Sequence, residues 1–324
     1  MNKRSMGAAW LRWGVGVLAF GAALASAQTP EGKIVVGNQP GGATDIVARL
    51  LAPEYAKALG RPFVVENRTG ASGNIAAEHV AKSAADGNTL LLVFNSHTTI
   101  ASLFPKLSFD PIKDFASVGL ISDSPYLIVA RPGIGASTLR ELIDKAKREG
   151  KPISIGSPGL GTPQHLLAQK LSQDQKVDVS VVHYKGSAPA QTDVMGGHVD
   201  ITFVTNSLGA AFVKAGKLQL LGITSDQRAA DFPATPTTRE QGLPLFNGSG
   251  VWLALLVPAK TPAVKVQELN KVLNAALQSP EVLAKLKGVG MSALGGSPAV
   301  QDKLMHDEQS TWSALIQESK ITLE

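Results

Sequence analysis

Four stretches of the 324-residue chain place glycine and a small polar or hydroxyl-bearing residue directly before a helical pattern: 40–45, 70–74, 159–163 and 186–189. The start of a helix leaves backbone N–H groups without intrahelical acceptors, and the summed peptide dipoles put about half a positive charge there. Glycine lets a ligand approach that backbone closely. Thr162 before Pro163, and Ser187 before Pro189, fit an N-cap with proline in the first turn. If the four turns converge on one cleft, they can hold a small anion, a carboxylate above all, without any arginine.

Other chemistries find little support. There is no cysteine, which removes disulfide frameworks, thiolate metal sites, iron–sulfur clusters and a thiol nucleophile. No G-x-S-x-G elbow and no G-x-x-x-x-G-K-[ST] loop occurs, and Gly159-Leu160-Gly161-Thr162-Pro163-Gln164 lacks the third glycine of a dinucleotide fingerprint. His79, His97, His165, His183, His198 and His306 include no pair at H-x-H or H-x-x-x-H spacing, so neither a metal nor a cofactor is expected. His97 and His165, which follow cleft turns, read most simply as hydrogen-bonded structural histidines.

The elements that would position the turns alternate. Strands are expected at 33–36, 62–66 and 90–94, with helices at 46–59 and 74–84. The continuous apolar run 90–94 suits a strand of a parallel sheet covered on both faces. Residues 153–206 repeat the plan, with Gly37 matching Gly156, Arg68 matching Lys185, and Asn95-Ser96 matching Asn206-Ser207. Further strands are expected at 126–130, 218–224 and 252–257, and helices at 262–278, 280–286 and 299–320. The pattern predicts an α/β protein of two βαβ-based lobes. Domain I comprises 28–125 and 234–324, domain II is inserted as 126–233, and the two crossings form a hinge.

Lys3, Arg4 and Arg12 accompany an apolar stretch that ends in Ala25-Ser26-Ala27, the pattern of a Sec signal peptide spanning 1–27 and cleaved between Ala27 and Gln28. Export to a bacterial periplasm is therefore expected. The formal charge of +5 owes three positive charges to that segment; beyond it 28 basic face 26 acidic side chains, and aromatics are 5%. Nucleic-acid binding is not expected.

With these motifs in order, the sequence resembles the Bug receptors, extracytoplasmic solute-binding proteins of tripartite tricarboxylate transporters. The likeness rests on Pro40-Gly41-Gly42-Ala43-Thr44-Asp45, Val65-Glu66-Asn67-Arg68, Gly70-Ala71-Ser72-Gly73-Asn74, Asp86-Gly87-Asn88, Gly161-Thr162-Pro163-Gln164-His165 and His183-Tyr184-Lys185-Gly186-Ser187, and covers nearly all of 30–324. It implies the two-lobed, type II-like plan of periplasmic binding proteins, closing on a small carboxylate without catalysis. Family ligands include di- and tricarboxylates, acidic amino acids and aromatic or pyridine acids. One carboxylate is expected on Gly42, Ala43 and Thr44, often through bridging waters, with Asn95, Ser96, His97, Gly161, Thr162, Thr205 and Asn206 contributing; Asn38, Ser72 and Ser157 complete the candidate set. Asn38 and Asn88 stand where the family often carries aromatics, which makes the expected pocket more polar or roomier. The partners implied are the carboxylate and a membrane transporter or sensor kinase, with the receptor a monomer. The alternatives are a secreted α/β hydrolase of small carboxylic esters or amides, with Ser72, Ser96, Ser157 or Ser187 as nucleophile, and a scaffolding protein with a vestigial cleft.

Overall fold

A computed structural model describes residues 30–104, 106–243 and 250–319. The expected signal peptide, 1–27, and its expected cleavage site lie outside the described residues, as does the side chain of Ser72.

The first lobe is built on β1 (Gly32–Val36), β2 (Phe63–Asn67) and β3 (Thr89–Phe94), which pair in parallel in the order β2-β1-β3. The apolar run of β3 is explained by two covered faces. Leu90 and Leu92 join a core with α1 (Ala43–Leu59) and α8 (Ala263–Ala276), while Leu91 and Val93 join another with α2 (Asn74–Ala81). Gly60 ends α1 in the left-handed conformation at φ +65°.

β4 (Phe115–Ala130) is the axis of the molecule. Over 115–125 it pairs with β9 (Gly250–Pro258) of the first lobe; over 126–130 it pairs with β7 (Ile201–Thr205) and β8 (Gln219–Ile223) of the second. The second lobe continues through β5 (Ile153–Ser157) and β6 (Val179–His183), both parallel to the β7 direction. Its two cores lie on opposite faces of this sheet, one with Ile128, Ile155 and Phe203, the other with Leu127, Val129 and Val204.

The sheet is mixed rather than parallel. β9 runs antiparallel to both β3 and β4, and β4 antiparallel to β7 and β8. The cause is topological: a chain that leaves one lobe at the cleft and returns from the other re-enters the first sheet from the cleft end. Helices beyond those expected are α3 (Ser96–Leu103), α4 (Leu139–Glu149) and α7 (Asn206–Lys214). The last helix, α10 (Pro298–Glu318), packs on both lobes. Leu315 and Ile316 meet Leu103 of α3 and Leu166 of α5 (Pro163–Gln175).

Candidate functional site

The carboxyl ends of β1, β2 and β3 and those of β5, β6 and β7 face the crossing at 125–126, because Tyr126 pairs with Thr205 and Pro125 with Gly250. Six helices start at these ends: α1, α2, α3, α5, α6 (Ser187–Met195) and α7. Five of them, all but α5, have no side-chain cap, so their first N–H groups are uncommitted to any cap.

The α1 turn is the most elaborated. Gly41 adopts φ +85° and donates its N–H to Asp45 Oδ2 at 2.9 Å. Asp45 also accepts from Arg49 Nε at 2.9 Å and from Asn67 Nδ2 at 2.9 Å. The Arg49 hydrogen bond leads the interactions that lower the Asp45 carboxyl to about 2, against a desolvation that opposes them. Asn67 Nδ2 donates also to the Asn38 carbonyl, which ties the end of β2 to the loop after β1. Gly42 is the N-cap, and the helix begins with Ala43 and Thr44. Thr44 is 4% exposed, yet its Oγ1 has no hydrogen-bond partner. Asn38, Thr44, Ser96 and His97 line one small cavity of about 20 Å³, room for about one water molecule. Gly37 and Gly73 press their backbones together there: a Cβ on Gly37 would lie 2.6 Å from Gly73 Cα. The 3-10 turn Ala71–Gly73, which contains Ser72, leads into α2.

Asn95 stands at the floor of the cleft. Its Nδ2 donates to Gly250 O at 2.8 Å, while its buried Oδ1 is unpartnered. Asn206, the first residue of α7, likewise has an unpartnered buried Oδ1. Thr205 Oγ1 and Ser207 Oγ lie 3.1 Å apart. In the α5 turn the polar groups are instead committed to each other. Thr162 Oγ1 donates to Gly159 O at 2.7 Å and caps His165 N–H, and Ser157 Oγ donates to Gly159 O at 2.8 Å. Gly161 N–H donates to His165 Nδ1 at 3.0 Å, and burial pushes that imidazole down to about 4.

His97 borders the cavity but is built into the core. It sits between Phe109 and Phe115, its Nε2 donates to Pro111 O at 2.9 Å, and burial lowers it to about 4. A neutral ring so placed is a wall. Among the described residues neither Ser96, Ser157 nor Ser187 is hydrogen-bonded to a histidine, and no group of three or more potential metal ligands gathers.

Sequence reasoning missed the polar cluster behind the floor. Glu308 of α10 accepts from Trp252 Nε1 at 2.9 Å and from Thr98 Oγ1 at 3.2 Å, and burial raises it to about 7. Tyr126, the first residue of the second lobe, lies beside Glu308 and Asn95 and is raised by burial. These residues lie far apart in the chain, so no spacing signal announces them. Asp45 and Arg49, by contrast, stand at i,i+4 on one helix face and were legible.

Comparison with known proteins agrees with this architecture. Residues 47–321 match the family model described as tripartite tricarboxylate transporter family receptor. Protein BugT of Bordetella pertussis is 33% identical over 289 residues, 89% of this chain and 88% of that protein. MatC of Rhodopseudomonas palustris, solved with bound malate, is 32% identical with a TM-score of 0.68, covering 88% of this chain and 99% of that one. A second R. palustris protein, solved with adipate, is 30% identical with a TM-score of 0.71, covering 91% and 99%. These relationships set the hydrolase alternative aside, in line with the serines described above. The chain belongs to the receptor family of the tripartite tricarboxylate transporters, and is a solute-binding protein rather than an enzyme.

Proposed function

We propose that the protein is exported, cleaved after Ala27, and binds a small carboxylate between its lobes as a monomer, delivering it to a membrane transporter. The observation that carries this reading is Thr44. A buried hydroxyl without a partner stands in the first turn of an uncapped helix, beside N–H groups with no intrahelical acceptor. Buried polar groups are almost always paired, and a carboxylate oxygen at that helix start would accept from the hydroxyl and the N–H groups together. The malate and adipate held by two relatives are ligands of the same chemistry. In this reading Asn38, Asn95, Ser96 and Asn206 form the floor and walls, Gly161 and Thr162 close from the second lobe, and Ser157 braces their turn.

In this reading the lobes move about two chain crossings. The outgoing one is at 125–126 within β4; Leu243 still packs in the second lobe's core while Gly250 opens β9 in the first, so the second lobe extends past the boundary expected at 233/234. Membership of this receptor family supports a periplasmic location, and among the described residues no helix is long and apolar enough to cross a membrane.

The test is thermal melting of protein that has been unfolded and refolded to strip copurified solute, against di- and tricarboxylates, acidic amino acids, and aromatic and pyridine acids. A ligand at 100 times its Kd stabilises by about 2.7 kcal/mol, a shift of several degrees at this size. A selective shift supports the reading; no shift with any of these acids contradicts it.

A further inference from the structure

We infer that Arg49 is a positioning residue for anion binding: by pairing with Asp45 it cancels the one negative charge built into the helix start where a carboxylate would sit. The inference rests on the carboxylate reading and names a residue through which that site is controlled.

The two lobes meet one requirement in two ways. In the first, the N–H of Gly41 donates to the side chain four residues on, Asp45. In the second, the N–H of Gly161 donates to the side chain four residues on, His165. Each bond pins a glycine turn so that the following N–H groups point out of the helix start. The acceptor in the second lobe is a neutral imidazole. In the first it is a carboxylate, 3% exposed and ionised at any working pH. Acids are ordinarily favoured in a helix's first turn, yet α2, α3, α5, α6 and α7 have none there. Among the helices that start at the crossing, only α1 carries one, and that one is bonded to an arginine.

Asp45 is useful as an anchor and harmful as a charge. A ligand carboxylate on the Ala43 and Thr44 N–H groups would lie within about a helix turn of it, some ~5–7 Å away. Arg49 removes the conflict. Its Nε bonds Asp45 and its Nη2 donates to Asn67 Oδ1 at 3.3 Å, so Asp45, Arg49 and Asn67 form a closed ring with no net charge. Arg49 lies near the end of the second turn of α1, with its side chain 54% exposed, so it acts through Asp45.

The experiment is calorimetric titration of malate and adipate into wild type, R49Q, R49K and D45N/R49Q, at low and at high salt, with the ligand-free melting midpoint of each. At an effective dielectric near 20, an uncancelled carboxylate at that distance weakens anion binding roughly 50- to 250-fold. R49Q is therefore expected to lose about that factor at low salt and less at high salt, where exposed charges are screened. R49K is expected to recover most of it. So is D45N/R49Q, which lacks both charges while the amide oxygen introduced by D45N still accepts from Gly41. Wild-type affinity in R49Q overturns the inference. So does a double variant as weak as R49Q, which would make Arg49 a direct ligand or a purely structural element. Failure of wild type to bind malate, adipate and every other acid of the melting panel would instead strike the carboxylate reading itself, and this inference with it.

Discussion

Replacing Thr44 with valine separates a binding role from a structural one by the sign of two effects. The substitution keeps the β-branched shape and exchanges the hydroxyl for a methyl. In the free protein that hydroxyl is buried and has no partner. An unsatisfied buried polar group costs about 1–3 kcal/mol, so ligand-free T44V is expected to be at least as stable as wild type and to melt up to several degrees higher. Binding should move the other way. A hydrogen bond from a hydroxyl to a carboxylate is worth about 1.5–3 kcal/mol, which at about 1.4 kcal/mol per decade is a loss of roughly 10- to 150-fold in affinity. Melting without ligand and calorimetric titration with the best acid measure the two quantities on one preparation. Unchanged affinity would refute the reasoning, and so would parallel losses of stability and affinity, since the hydroxyl would then have a structural partner.

Other perturbations test the frame. G37A drives a methyl to 2.6 Å from the Gly73 backbone; overpacking of this kind costs about 1–3 kcal/mol, and because it separates two cleft turns, carboxylate affinity should fall as well, both read by urea unfolding and titration. Glu308 and His97 should give opposing pH dependences. Glu308 is raised to about 7 from 4.5, so between those values the folded state holds a proton that the unfolded chain has released, and stability falls as pH rises. His97 is lowered to about 4 from 6.5, so between those values the unfolded chain holds the extra proton, and stability falls as pH drops. Each contributes a slope of about 1.4 kcal/mol per pH unit, and together they nearly cancel between pH 4.5 and 6.5. E308Q is expected to lose stability on acidification through that range. H97Q is expected to lose stability on alkalinisation relative to wild type. Urea unfolding at stepped pH reads both, and two curves parallel to wild type would remove these groups from the balance.

The features legible in the sequence were the local ones. The glycine turns, the helices that follow them and the two-sided apolar strand 90–94 depend on nearby residues in the chain. The path of β4 was half hidden. Pro125 argues against a continuous strand, but it falls at the changeover from β9 to β7 pairing, where the ladder is interrupted anyway. α3 has the sequence SHTTIASL, rich in residues of weak helix propensity. It is held by α10, through Ser102 with Ser313 and Thr98 with Glu308. Nothing near Thr98 in the chain announces a partner 210 positions away. Similarly, the antiparallel insertion of β9 follows from where the returning chain emerges, a property of the assembled lobes. At the site, the glycine turn at 40–45 pointed to Thr44, and the family resemblance to Asn95. That their oxygens would be buried and unpaired, while Thr162 and Ser157 are bonded within their own turn, depends on packing that spacing does not encode.

The most direct measurement is a crystal structure with whichever acid stabilises the refolded protein most. A carboxylate oxygen is expected within about 2.7–3.2 Å of Thr44 Oγ1 and of the Ala43 or Thr44 N–H, with the second lobe closed over it. An acid bound elsewhere, with Thr44 Oγ1 still unpartnered, would contradict that expectation.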